Sequence, residues 1–356
     1  MIQLFLRPLF VYTLKIISGK DYRKNIMGKY KNILCLAAIV LIGCAGISSA
    51  QSSRNSLEIV ASRNYKPLKM TESADLKAIV DKAVAEVIKA NAGLKPEDIA
   101  ATVIDLSDPK NIIWANSRGE EMIYPASVVK MFYLAALHRQ LEDKKITMSK
   151  ELERGVRDMI VDSSNEATQY VLDVLTDTSS GAELPEKEFE KWQYKRNRVN
   201  RYYSSLGYKN INVNQKTFCE DAYGIEQQSR GYKGKNRNML TTNATARLIA
   251  EIAMLNMTTH ERSREMLELL KRDPFAKGDA EDQAHAFSGI ALVERNMTGA
   301  KLWSKAGWTS TARHDAAVIE LPNGKKFAIA VFTERSANNK VPIPQFVGKI
   351  LDELGK

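Results

Sequence analysis

Cysteine is almost missing from this chain: there are 3 in 356 residues, and two of them, Cys35 and Cys44, fall in the first fifty. A form cut after Ala50 keeps Cys219 alone, which excludes an internal disulfide and any thiolate metal site. Histidine is nearly as scarce, with 4, and none stands near Cys219 with a supporting acid, so thiol catalysis has no base. Charge of one sign is also lacking once its position is considered. The formal net charge is +10, but Arg7, Lys15, Lys20, Arg23, Lys24, Lys29 and Lys31 face only Asp21 in residues 1–50. Removing these from totals of 52 and 42 leaves 45 basic against 41 acidic groups. No basic stripe with interleaved aromatics remains, so nucleic acid is not an expected partner.

Long hydrophobic runs are absent as well. From Met27 the chain reads as a secretory leader: basic Lys29 and Lys31, an apolar run from Ile33 to Gly43, and small residues Ser48 and Ala50 before Gln51. That run is too short for a comfortable membrane span, so removal rather than anchoring is expected, and no transmembrane span in the mature form. The tetrapeptide "LIGC", ending at Cys44, resembles a lipoprotein box and leaves lipid attachment as the other outcome. A periplasmic or secreted location follows, with Met27 as the start.

What the chain does have is enough apolar material for a core, 44% hydrophobic against 26% charged. Leu76, Ile79, Val80, Ala83, Val84 and Val87 recur at helical spacing before Gly93. "IAATVIDL" and "NIIWANSR" read as two strands around the turn "SDPK". The middle, from about 127 to 272, is helical in pattern. "KLWSKAGWTS", "DAAVIEL" and "KKFAIAVFT" return to strands, and a helix ends the chain. The expected fold is therefore α/β (α+β): an antiparallel five-stranded sheet completed by both chain ends, flanked by terminal helices, plus an all-helical lobe. The expected division is a leader over 1–50, a polar tether over 51–70 and one domain over 71–356. Its sheet lobe spans 71–126 and 295–356, its helical lobe 127–294, and the cleft between them is where a site belongs.

Three short elements carry chemistry. In "YPASVVKMFYL", Ser127 and Lys130 are three residues apart at a helix start and share a face. Serine needs a base, and a lysine serves if burial holds it neutral. Ser107 and Lys110 match the same spacing, but Pro109 and the flanking strands make that a solvent-facing turn. In "MIVDSSNEATQYVLDVL", Ser163 and Asn165 stand between two helices, where a helix cap is the alternative role. In "KLWSKAGWTS", Lys305 precedes Gly307 on a strand, where a glycine lets a ligand lie against the backbone. Lys305 could bind a carboxylate and the backbone N–H of Trp308 could polarise a carbonyl.

Ser-x-x-Lys, Ser-x-Asn and Lys-x-Gly in this order resemble the active-site serine penicillin-recognising enzymes, and "NRNMLTTNATARLIAEI" resembles the Thr-Thr entry to a helix in class A β-lactamases. The resemblance runs from about residue 75 to the C-terminus. It implies a β-lactamase/transpeptidase-like fold and an exported serine hydrolase that takes a small-molecule β-lactam or a peptidoglycan peptide, with no cofactor, no metal and a monomeric state. By that resemblance Ser127 is the acylated nucleophile and Lys130 the base. Ser163 relays a proton to the leaving nitrogen, Asn165 holds a substrate amide and Lys305 attracts a carboxylate. The N–H groups of Ser127 and Trp308 form the oxyanion hole. Two departures stand out. Where class A β-lactamases carry the glutamate that clears the acyl-enzyme, this chain has Lys216 and Thr217, with Glu220, Asp221 or Glu226 as candidate replacements. Ala306 replaces the usual Thr or Ser, so Thr309 or Ser310 would have to supply the hydroxyl. A D,D-peptidase or esterase slowly acylated by penicillin, and a non-catalytic envelope binding module, are the alternative readings.

Overall fold

The computed structural model describes residues 57–218, 221–276 and 287–356. The leader, its Met27 start and Cys44, as well as Cys219 and Glu220, lie outside the described residues. A seven-stranded sheet runs in the order β1-β3-β2-β7-β6-β5-β4. Its members are β1 (Thr71–Glu72), β2 (Ile99–Asp105), β3 (Ile113–Ser117), β4 (Lys271–Arg272), β5 (Lys301–Trp308), β6 (Ala312–Glu320) and β7 (Lys326–Glu334). Five of these are the expected antiparallel strands. The other two are the correction: β1 and β4 are two-residue edge strands, β1 parallel to β3, and two residues are too few to show a period of two.

The strands read as unbroken apolar runs because both faces are covered. Alternation divides each strand between two cores. Ala100 and Ile104, Ala316 and Val318, Ala328 and Phe332 face one core; Ile99 and Val103, Ala317 and Ile319, Phe327 and Ile329 face the other. The rear core is closed by α1 (Ala74–Ala90), α10 (Gly289–Glu294) and α11 (Pro342–Leu354), whose buried positions include Leu76, Val80, Val87, Leu292, Phe346 and Ile350. Helix α1 starts because the Ser73 side chain accepts from the Leu76 N–H at 3.2 Å.

The front core belongs to the helices between the two strand sets: α2 (Val129–Glu142), α3 (Lys150–Ile160), α4 (Asn165–Thr176), α5 (Glu186–Arg196), α6 (Arg198–Ser205), α7 (Gly224–Gly231), α8 (Thr242–Ala253) and α9 (His260–Leu270). Helix α2 is its axis: every residue from Val129 to Leu141 is buried, as expected of a helix wrapped on all sides. Residues 57–70 differ from the loose tether expected. Ile59 is buried in the front core, Val60 O accepts from Arg139 Nε at 2.9 Å, and Tyr65 donates to Glu251 at 2.9 Å. Polar side chains disguise the segment in sequence, but those side chains are what dock it. Among the described residues no helix is long and apolar enough to cross a membrane.

Candidate active site

Ser127 lies on a tight 3-10 turn, Ala126–Val128, that leads straight into α2. Ala126 is held at φ +46°, a left-handed conformation in which a Cβ is costly, so the surroundings must enforce it. Two contacts do so. Gly307 on β5 presses against the turn so closely that a Cβ there would lie 2.8 Å from Pro125 O and Ser127 N and 2.9 Å from Val128 N. Glycine is required for this approach, and Trp308 is the next residue along β5. The second contact is His314, which pairs with Gly307 across β5 and β6. Its Nδ1 accepts from Thr333 N at 3.1 Å, which leaves the proton on Nε2 to be donated to Tyr124 O at 2.9 Å. Burial pushes this imidazole down to about 4, so it stays neutral and keeps that donor.

Lys130, the second residue of α2 and one turn after Ser127, is fully buried. Its Nζ donates to Ser163 O at 2.6 Å, to Asn165 Oδ1 at 2.9 Å and to Ser163 Oγ at 3.3 Å. Lys305 reaches the same hydroxyl from the sheet, with Nζ 2.9 Å from Ser163 Oγ and 2.9 Å from Ala306 O. Burial drives the Lys305 amine well below its usual range, and the charges of Lys130 and Arg272 push the same way against Asp315. Ser163 is itself at φ +57°. The cap of α4 is Ser164, whose Oγ accepts from Ala167 N at 3.1 Å. That leaves the Ser163 hydroxyl for the two lysines.

The structure thus brings Ser127, Lys130, Ser163, Asn165, Lys305 and Gly307 together. Trp308 is 44% exposed at the end of β5. Thr309 is turned to another task, its Oγ1 accepting from Ala312 N at 3.1 Å and Thr311 N at 3.3 Å to close the β5–β6 turn. Ala306 points into the rear core, away from Lys305. The other Ser-x-x-Lys match lies in the β2–β3 turn, where Ser107 Oγ accepts from Lys326 N at 3.1 Å.

Three polar residues that the sequence reading passed over support this arrangement. Asp315, 1% exposed, accepts from Ser304 Oγ and from Ser288 N at 2.7 Å on the sheet's rear face, behind Lys305. Arg272 donates to Ile160 O at 2.9 Å, and burial lowers its pKa. His314 is the third. The signal was present as "RHD", residues 313–315, a polar triplet inside a strand with apolar flanks.

The loop expected to supply a deacylating carboxylate is committed elsewhere. Lys216 Nζ lies 2.5 Å from Asp173 Oδ2 and 2.8 Å from Ser180 Oγ. Glu226, one candidate replacement, is 1% exposed and gripped by both terminal nitrogens of Arg196 at 2.8 Å. Asp221 is exposed and paired with Arg230. Gln169 Nε2 holds Thr217 O at 3.1 Å. Among the described residues no group of three or more His, Cys, Asp or Glu could hold a metal ion.

No curated protein matches this chain. The fold matches solved structures at low identity. A β-lactamase from Sphaerobacter thermophilus DSM 20745 is 19% identical, over 78% of this chain and 97% of that one, with a TM-score of 0.55. The TLA-1 extended spectrum β-lactamase is 17% identical over 78% and 99%, with a TM-score of 0.56. A PBP-A variant, solved as its acyl-enzyme complex with penicillin G, is 15% identical over 82% and 99%, with a TM-score of 0.55. A model of the β-lactamase enzyme family matches residues 150–354, beginning after Ser127 and Lys130 and spanning more than half of the sequence. The chain belongs to the β-lactamase enzyme family.

Proposed function

We propose that this protein is an exported serine hydrolase, class A-like in its chemistry, that opens β-lactam rings by forming an acyl-enzyme at Ser127. The observation that carries the reading is the meeting of Lys130 Nζ and Lys305 Nζ on the Ser163 hydroxyl, at 3.3 and 2.9 Å, next to the turn that bears Ser127. Held by its N–H bonds to Ser163 O and Asn165 Oδ1, Lys130 acts as the base that takes the Ser127 proton. Ser127 Oγ then bonds to the carbonyl carbon while the N–H groups of Ser127 and Trp308 hold the oxyanion. When the C–N bond breaks, the nitrogen takes the Ser163 proton, which a lysine ammonium replaces. Asn165 holds a substrate amide, and the Lys305 amine donates to the substrate carboxylate at this end of β5, with Thr309 and Gly307 lining the approach.

A second reading is favoured by Lys216: with no carboxylate at that position, release of the acyl group is slow. The natural substrate is then a peptidoglycan peptide, and penicillin is a trap. Intact mass measured after penicillin treatment tests acylation. The expected result is one penicillin adduct on the wild type and none on Ser127→Ala; no adduct on wild type sinks the proposal. A chromogenic cephalosporin separates the two readings, since continued turnover supports the β-lactamase and a single stoichiometric burst the trapped peptidase.

A further inference from the structure

A cavity of about 450 Å³ opens between α5, the start of α6 and the loops at 212–214 and 232–236. Its volume falls in the ordinary range for small-ligand sites, roughly 300–1,000 Å³, but its wall does not have their usual apolar character. Every lining residue is an amide, a tyrosine or a charged residue, and no aliphatic side chain is among them. That composition excludes a lipid tail or an apolar drug-like molecule. It suits a ligand with hydroxyl groups on its rim and C–H bonds on its faces.

The floor is fixed in advance. Asn212 gives its amide protons to Asn236 Oδ1 at 2.8 Å and Arg237 O at 2.7 Å. Asn197 Oδ1 accepts from Asn200 at 2.7 Å and from Asn214 at 3.0 Å, which orients the amide and leaves its NH₂ without a protein partner among the described residues. Two tyrosine rings also line the cavity. Tyr194 is 62% exposed, with one face covered by the Arg201 guanidinium at 3.8 Å, and Arg201 is itself held by Glu58 at 2.7 Å through two nitrogens. Tyr232 is braced edge-on by Phe189 at 5.8 Å. Fixing rings and amides before binding lowers the ordering cost of a flexible, hydroxylated ligand.

Charge narrows the class. Lys233 and Lys235 line the cavity with no carboxylate partner among the described residues, Lys233 with its Nζ 5.4 Å from the centre of the Tyr232 ring, and Glu190 is the one acid among the described lining residues. Ser127, Lys130, Ser163 and Lys305 are not in the wall, so the inference goes beyond the acylation chemistry and does not rest on it. The geometry points to a carbohydrate-binding site here for an oligosaccharide that carries a carboxylate. The sugar faces would pack on Tyr194 and Tyr232, the amide of Asn197 would donate to a sugar oxygen, and the two lysines would hold the carboxylate.

Titration calorimetry with two probes tests this. They are the disaccharide N-acetylglucosaminyl-N-acetylmuramic acid, with one carboxylate, and neutral N,N′-diacetylchitobiose. The anionic sugar should bind saturably and more tightly than the neutral one. Lys233→Ala with Lys235→Ala should abolish that preference. Tyr194→Ala, at a side chain exposed enough to leave the fold intact, should weaken both sugars tenfold or more. The penicillin acylation rate should stay at the wild-type value in all these variants, while Ser127→Ala should bind both sugars normally. Failure of both sugars to bind at millimolar concentration overturns the proposal. So does binding that ignores the Tyr194 and lysine substitutions, or equal affinity for the two sugars.

Discussion

Acid should loosen this fold through His314 before it titrates most of its carboxylates. In the folded chain burial holds this imidazole at about 4, against its ordinary 6.5. The folded protein therefore leaves the ring neutral in a window where the unfolded chain protonates it. Stability contributed by the neutral ring is complete above pH 6.5, drains away as pH falls and levels off below 4. The gap is worth about 3 kcal/mol in full and about 2 kcal/mol by pH 5. His138 has the same sign: burial and then Arg262 hold it at about 3, so it adds about 2 kcal/mol by pH 5.

Protonation of His314 is costly for a local reason. Its Nδ1 is an acceptor for Thr333 N, and an imidazolium has no acceptor to offer, so a buried N–H loses its partner while the ring gains an unpaired charge. The variant His314→Asn has no titrating group and keeps an acceptor near the Nδ1 position for Thr333 N, while its shorter amide gives up the bond to Tyr124 O. Urea midpoints at pH 7 and pH 5 would give the comparison. The wild type should lose about 4 kcal/mol between these pH values from the two histidines, and His314→Asn about half as much. If the variant loses as much as the wild type, the ring is not the neutral strut proposed, and the account of how the Ser127 turn is held falls with it.

Gly307→Ala should push the turn carrying Ser127 away from β5, because every atom its Cβ meets under 3 Å is backbone. Acylation by penicillin, followed by stopped-flow, should slow about 100-fold, with the variant still folded by circular dichroism. Ser163→Ala should cut the acylation rate by about 10²–10⁴ with little change in penicillin affinity, as removal of a proton relay does; unchanged kinetics would give the relay to another group. Glu226→Ala should leave Arg196 and Lys216 facing each other in the lobe interior and cost about 3–5 kcal/mol in denaturant unfolding. Its surviving folded fraction should release the penicilloyl group at the wild-type rate, and slower release would restore Glu226 as a participant.

The three motifs were legible in sequence because each is local: a three-residue spacing at a helix start, a turn between helices, a lysine and glycine on one strand. Pairing between distant segments was not. His314 acquires its role only when β6 is set against β5 so that it faces Gly307, and no pattern within "ARHDAAVIE" states that register. Ser163 and Ser164 are equivalent in sequence as caps, and only the hydrogen bond from Ala167 N to Ser164 Oγ tells them apart. The strands β1 and β4 are too short to leave a pattern, and the packing of residues 57–70 depends on Arg139, Arg201 and Glu251, far away in the chain.

Lys216 shows how one substitution ties chemistry to stability. Its amine sits with Arg196, Asp173 and Glu226 in a cluster of two cations and two carboxylates that joins α4, α5, α7 and the loop before Thr217. The charges balance, which a buried cluster requires. A carboxylate at 216 would set three acids around the one guanidinium of Arg196, so the position cannot be returned to hydrolytic use without dismantling the lobe's ion pairs. The segment that the resemblance assigns to water activation serves here as a clasp, with Gln169 fixing it to α4 one turn beyond Asn165. On the proposed reading acylation and release are separable in this chain: acylation would draw on the turn, the two lysines and β5, whereas the position where the resemblance places the releasing carboxylate is held by Lys216 within the ion pairs of the helical lobe.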